Sequence, residues 1–291
     1  MANNPNLSPL CPNYLHQSMS IFFHIPTICL ELRLLHTPFK RSLLTLLFLG
    51  WIQTISGQAV ETGGQDRWFS GSIHATNNGI SLIPTFMLGK PASIFYLSVG
   101  SAKLRFEPEM RFSLQGKPWS FLFWWRYRFI QNNRFKLTLG THPSLAFRTA
   151  TAEINGQSTE LLYPTRFLAG ELVPTWNIND KITIGMYYLY SRGLDAYATR
   201  NTHFITINTH ISKVKLAKSY HLSWKPQLYY LRMDQKDGLF FVSNVTLTKE
   251  KSPFSVYSII NKRLRSSIDR SRDFVWNISV AYSFQNQYTK K

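Results

Sequence analysis

His74, Thr76 and Asn77 come nearest to a catalytic arrangement in this chain. Residues two apart in a strand share a face, so the imidazole of His74 could take a proton from a hydroxyl at position 76. Threonine there carries an extra methyl that hinders attack, and no acidic partner stands at a fixed spacing. The same residues also read as a strand end running into an Asn78–Gly79 turn. The eight histidines show no metal spacing. His203 and His210, seven apart, fall on opposite faces of a strand. No phosphate-cradling glycine loop occurs, so no nucleotide, metal or other cofactor is expected.

A second constellation is a ladder of charge. Lys103, Arg105, Glu107, Glu109 and Arg111 alternate with apolar residues, and Arg126, Arg128, Arg134, Lys136 and Arg148 follow. Lining one wall, these cations would favour anions. Alternatively, the ladder is a self-neutralising network, with Glu107 and Glu109 satisfying neighbouring arginines. Flanking arginines keep both carboxylates ionised, which argues against a proton donor.

The elements that must position these residues are strands. Residues 118–130, PWSFLFWWRYRFI, carry seven aromatic side chains and two arginines in thirteen positions. Parity separates them. Trp119, Phe121, Phe123, Trp125, Tyr127 and Phe129 share one face and are expected to meet lipid, while Leu122, Trp124, Arg126 and Arg128 share the other. Trp124 is expected to pack inside, stacked by an arginine. Eleven residues of strand reach about 35 Å, enough to cross an apolar band of about 25 Å when tilted. Similar period-2 stretches recur at 67–76, 79–88, 92–100, 103–114, 134–150, 158–177, 181–192, 200–212, 220–230, 237–248, 254–264 and 273–284, separated by turn signals. The 134–150 stretch carries a candidate break at Gly140–Pro143. Pro108 and Pro226 are expected at bulges or strand ends. The reading is an all-β, transmembrane, antiparallel up-and-down barrel of about twelve strands, ten to fourteen being compatible with the pattern.

Composition bounds the rest. The formal charge is +18, yet only 16% of residues are charged and 15% are aromatic, with no dense basic tract. Nucleic acid is therefore not the expected partner. Lys262, Arg263, Arg265, Arg270 and Arg272 suit a loop rim facing anionic lipopolysaccharide. Lys40 and Arg41 precede SLLTLLFLGWIQTISGQA, the layout of a signal peptide spanning 40–57, cut near Gly57. Residues 1–39 hold prolines at 5, 9, 12, 26 and 38 and are read as an over-extended or unstructured start, leaving 58–291 as the barrel. The only cysteines, Cys11 and Cys29, lie upstream of the cut, so none is available to the exported part.

The segments NNGISLIPTFMLGKPASIF (77–95), FEPEMRFSLQGKPWSFLFWWRYRF (106–129) and DFVWNISVAYSF (273–284) resemble a family of outer-membrane β-barrel proteins of the Bacteroidota that has no assigned activity. The last segment, with Phe274, Trp276, Tyr282 and Phe284, resembles the terminal signal read by the barrel-assembly machinery, although a polar tail, 285–291, follows it. This resemblance implies a fold and a location in the Gram-negative outer membrane, among its lipids. The expected function is a porin-like passive pore, or a structural or accessory envelope protein, with a cationic polar lumen; the balance falls against an enzyme. The alternatives are a lipid-modifying hydrolase built on His74 and Thr76, whose spacing resembles the His-x-Ser-Asn of outer-membrane lipid hydrolases, and a soluble β-sandwich binding protein. Oligomeric state is left open.

Overall fold

A computed structural model describes residues 67–154 and 157–288. The segments 1–39 and 40–57, with both cysteines, lie outside the described residues. The strands are β1 (Arg67–Thr76), β2 (Ala92–Gly100), β3 (Leu104–Ser113), β4 (Pro118–Gln131), β5 (Phe135–Ile154), β6 (Gln157–Asn177), β7 (Ile182–Gly193), β8 (Asn201–Ala217), β9 (Tyr220–Met233), β10 (Lys236–Lys249), β11 (Phe254–Ser266), β12 (Phe274–Trp276) and β13 (Ser279–Tyr288). From β1 to β12 each pairs antiparallel with its sequence neighbour, β13 pairs with β11, and β1 pairs with β13 to close the ring. The short β12 and β13 are two pieces of one closing strand, both laid against β11. The wall is thus a twelve-stranded barrel, and among the described residues no face-to-face double sheet forms.

Closure satisfies the backbone without an edge, which a strand in hydrocarbon requires. Parity then divides the side chains. The outward set includes Trp125, Tyr127, Phe129, Leu168, Trp176, Ile207, Trp224, Phe241 and Trp276, all exposed. In water this surface would be an aggregation hazard; in a bilayer it is the solvated face. Connections at one end are short: 101–103, 132–134, 178–181, 218–219 and 250–253. We call this the turn end. Phe129, Phe135, Trp176, Tyr220 and Phe254 stand within two residues of strand termini there, as an aromatic girdle requires. The other, loop end carries the longer connections 77–91, 194–200 and 267–273.

Four mid-strand prolines show how the ladder absorbs a missing donor. Opposite Pro108, the β2–β3 register passes from Tyr96↔Glu109 directly to Val99↔Phe106. The same two-pair lapse faces Pro143 between β4 and β5, Pro174 between β6 and β7, and Pro226 between β8 and β9. Pro108 and Pro226 therefore sit neither at bulges nor at strand ends. The missing N–H breaks pairing with one neighbour while the other ladder holds the strand. For the same reason β5 runs unbroken through Gly140 and Pro143, since its β6 side is fully paired.

Two further expectations change. Residues 79–88 do not form a strand. One parity there is wholly apolar (Ile80, Leu82, Pro84, Phe86, Leu88) and the other mixed, but Pro84 cannot donate to a ladder and starts a short 3-10 turn, Pro84–Phe86, instead. The 273–284 stretch is interrupted at Asn277 and Ile278. Asn277, 2% exposed, repairs the gap with its side chain. Its Oδ1 accepts from Ile259 N at 2.8 Å, and its Nδ2 donates to Thr76 Oγ1 at 3.1 Å and to Asn78 O at 3.3 Å. The amide stands in for ladder bonds exactly where the first and last strands meet, so parity survives the break.

Candidate functional site

The lumen is divided along its length. Toward the loop end it is apolar and filled. Segment 77–91 turns into the barrel and is pinned there. Tyr229 Oη donates to Leu82 O at 2.9 Å, and Trp119 Nε1 donates to Phe86 O at 2.7 Å. Leu82 and Ile83 lie against a buried cluster that includes Phe204, Tyr229, Leu231, Phe240 and Val242. Tyr229 stacks on Phe240 at 4.8 Å, and Phe86 meets Phe167 edge-on at 5.1 Å. Asn261 Nδ2 donates to Tyr229 Oη at 3.0 Å, so the phenol both holds the segment and is itself held.

Trp119 marks a correction. It is 4% exposed and faces inward, whereas parity assigns it to lipid. The β3–β4 register shifts between Arg111↔Ser120 and Phe112↔Pro118, and this bulge turns Trp119 over. Phe121, Phe123, Trp125, Tyr127 and Phe129, on the regular side of the bulge, face outward.

Toward the turn end a polar cavity of about 750 Å³ is lined by Ser72, Tyr96, Ser98, Glu107, Trp124 and Arg126 among others. Its wall is where the charge ladder converges. Arg126 contacts Glu107 at 2.6 Å and Glu171 at 2.6 Å; Arg105 lies 3.9 Å from Glu107; Arg111 pairs with Glu109. Three guanidiniums thus face three carboxylates, so this wall is neutral overall. Each guanidinium also covers an inward indole: Arg105 over Trp68 at 4.3 Å, Arg111 over Trp119 at 5.1 Å and Arg126 over Trp124 at 4.2 Å. On its other side Trp124 meets His142 at 3.9 Å.

The remaining ladder residues are elsewhere. Lys103, Arg134 and Lys136 are exposed at the turn-end rim, and Arg128 reaches Gln131 Oε1 at 3.3 Å beside them. Arg148 stands apart on β5, its Nε without a partner. Glu171 was not legible as a partner for Arg126, because a whole strand, β5, stands between them in the ring. Gly140 makes the reach possible. It lies directly between Arg126 and Glu171 in the register, and a Cβ there would sit 2.6 Å from Glu171 Oε1.

His74 and Thr76 are not brought together. His74 faces the lumen, and its Nε2 lies 2.7 Å from Ser72 Oγ, the hydroxyl two residues before it rather than after. Tyr96 and Tyr257 flank the imidazole edge-on. Thr76 is spent on the closing seam: besides accepting from Asn277, its hydroxyl donates to Asn78 O at 3.1 Å. Asn77 Oδ1 accepts from Ile278 N at 2.9 Å in the same seam. Phe274, Trp276 and Tyr282 are exposed on the outer face, and Phe284 packs beside Phe69 at 5.5 Å.

Closed ladder, apolar exterior and polar cavity together define a transmembrane-type β-barrel. No family model matches the chain, and no curated protein sequence matches it. Among solved structures the chain is similar to the KdgM porin (14% identity, TM-score 0.45, covering 75% of this chain and 99% of that one). It is similar also to the NanC porin (11%, 0.43, 74% and 98%) and to an outer membrane channel from Pseudomonas putida F1 (10%, 0.43, 76% and 96%). The barrel assignment stands on the closed ladder, independently of these likenesses.

Proposed function

We propose that the protein is an outer-membrane barrel acting as a stoppered passive conduit. A charged vestibule opens at the turn end, and segment 77–91 shuts the loop end. The observation that carries this reading is the manner of closure. The stopper is a loop seated on side chains through Tyr229 and Trp119, rather than wall side chains alone meeting across the lumen. Behind it lies a cavity of about 750 Å³ whose lining includes Glu107, Glu109 and Arg126. In this reading Phe274, Trp276, Tyr282 and Phe284 form the signal taken up by the barrel-assembly machinery. Outer-membrane lipid contacts the apolar band, and lipopolysaccharide meets the basic rim.

Planar-bilayer recording tests the conduit. The full chain is expected to give little current. A variant with residues 80–87 replaced by a short Gly-Ser connector is expected to give stepwise openings. Retention of the compact, heat-modifiable band in cold SDS confirms that the variant is folded. A folded variant that stays silent would sink the conduit and leave a structural barrel.

A further inference from the structure

Unpaired positive charge also lies away from the ladder wall. Across from it, β8–β11, with His74 of β1, line a second lumen cavity of about 290 Å³, bounded by His74, His210, Lys225, Asn244, Thr246 and Tyr257, with Ser223 and Ser255. Among the described residues no carboxylate lines it. Lys225 takes part in no ion pair or side-chain hydrogen bond among the described residues, and the same holds for His210. The register places the donors together. Lys225 stands opposite Asn244, Thr246 opposite both Ser223 and Tyr257, and His210 falls opposite Lys225 between the pairs Asn208↔Gln227 and Ile211↔Trp224. Pro226 assists, since the lapse it causes between β8 and β9 lies at this level.

We propose that this cavity is a binding site for a small oxyanion, a carboxylate or a phosphate group. An ammonium withdrawn from bulk water needs a counter-charge, and the six acidic and basic groups of the ladder already satisfy one another. Ammonium, imidazole, amide and hydroxyl donors converge on a space that fits one small anionic group, and nothing in its lining repels one. The site shares the lumen with the proposed conduit but does not require that the barrel conduct.

The test is 31P line broadening of inorganic phosphate by the full chain in a maltoside detergent, with acetate as competitor. Wild-type protein is expected to broaden the line saturably. Lys225→Met is expected to weaken binding at least about tenfold, the worth of one charge-assisted hydrogen bond, while Lys225→Arg retains it. Lys136→Met at the rim serves as the control and is expected to bind as wild type does. Competition by acetate assigns the site to oxyanions generally, and its absence to phosphoryl groups. No saturable broadening by wild type, or equal binding by Lys225→Met, overturns the site. Neither result bears on whether the stopper-less variant conducts, so the two readings fail separately.

Discussion

Arg126→Met is expected to destabilise the barrel by about 3–5 kcal/mol, the cost of breaking a buried ion pair from one side. The arginine serves two carboxylates at once. Its Nη1 donates to Glu107 Oε2 and its Nε to Glu171 Oε1, each at 2.6 Å. The Glu171 side chain is only 1% exposed, so water cannot replace the guanidinium. Removal also bares one face of Trp124, which Arg126 covers at 4.2 Å. Glu107 keeps partial compensation from Ser98 Oγ at 3.1 Å and from Arg105, so the penalty concentrates on Glu171. The double variant Arg126→Met with Glu171→Gln should therefore recover a large part of the loss. Urea midpoints for unfolding from lipid vesicles, followed by the heat-modifiable band, measure both. A single variant within about 1 kcal/mol of wild type would show that the vestibule is wetter than these contacts allow.

Asn277→Leu is expected to cost about 2–4 kcal/mol through loss of three hydrogen bonds at a buried position. The substitution keeps the branched side-chain shape and parity but leaves Ile259 N–H without an acceptor, and Thr76 Oγ1 and Asn78 O without their amide donor. Its signature is local. Amide exchange should accelerate at Ile259 and across the β11–β12–β13 junction while β5–β6 stays protected. Uniform acceleration around the ring would show instead that Asn277 is not specifically a seam residue.

These two residues illustrate what a single sequence conveys. Parity placed Arg105, Glu107, Glu109, Arg111 and Arg126 on one face, because a strand alternates wherever its register is continuous. It also put Trp124 under an arginine, and the structure supplies Arg126 for that role. Parity failed at Trp119, where a bulge defined by the partner strand reverses the face. It failed at 79–88, where Pro84 breaks the alternating run and only the finished barrel offers somewhere to bury Leu82, Ile83 and Phe86. Glu171 and Lys225 were visible as polar positions but not as a paired group and an unpaired one. That distinction depends on which strands become neighbours in the ring, and spacing along the chain does not encode it.

The proline lapses have a mechanical meaning. Pro108, Pro143, Pro174 and Pro226 all weaken joins made across turn-end connections, β2–β3, β4–β5, β6–β7 and β8–β9. The loop-end hairpins between them, among them β5–β6, β7–β8 and β9–β10, carry uninterrupted ladders. Along β2–β9 the wall is therefore coopered from continuously paired two-strand staves with a thinned ladder at each join, while β10–β11 and β13–β1 carry no such lapse. Each of these joins holds two fewer paired positions than an unbroken ladder would, so strand-to-strand bonding along this arc is concentrated within the hairpins rather than between them.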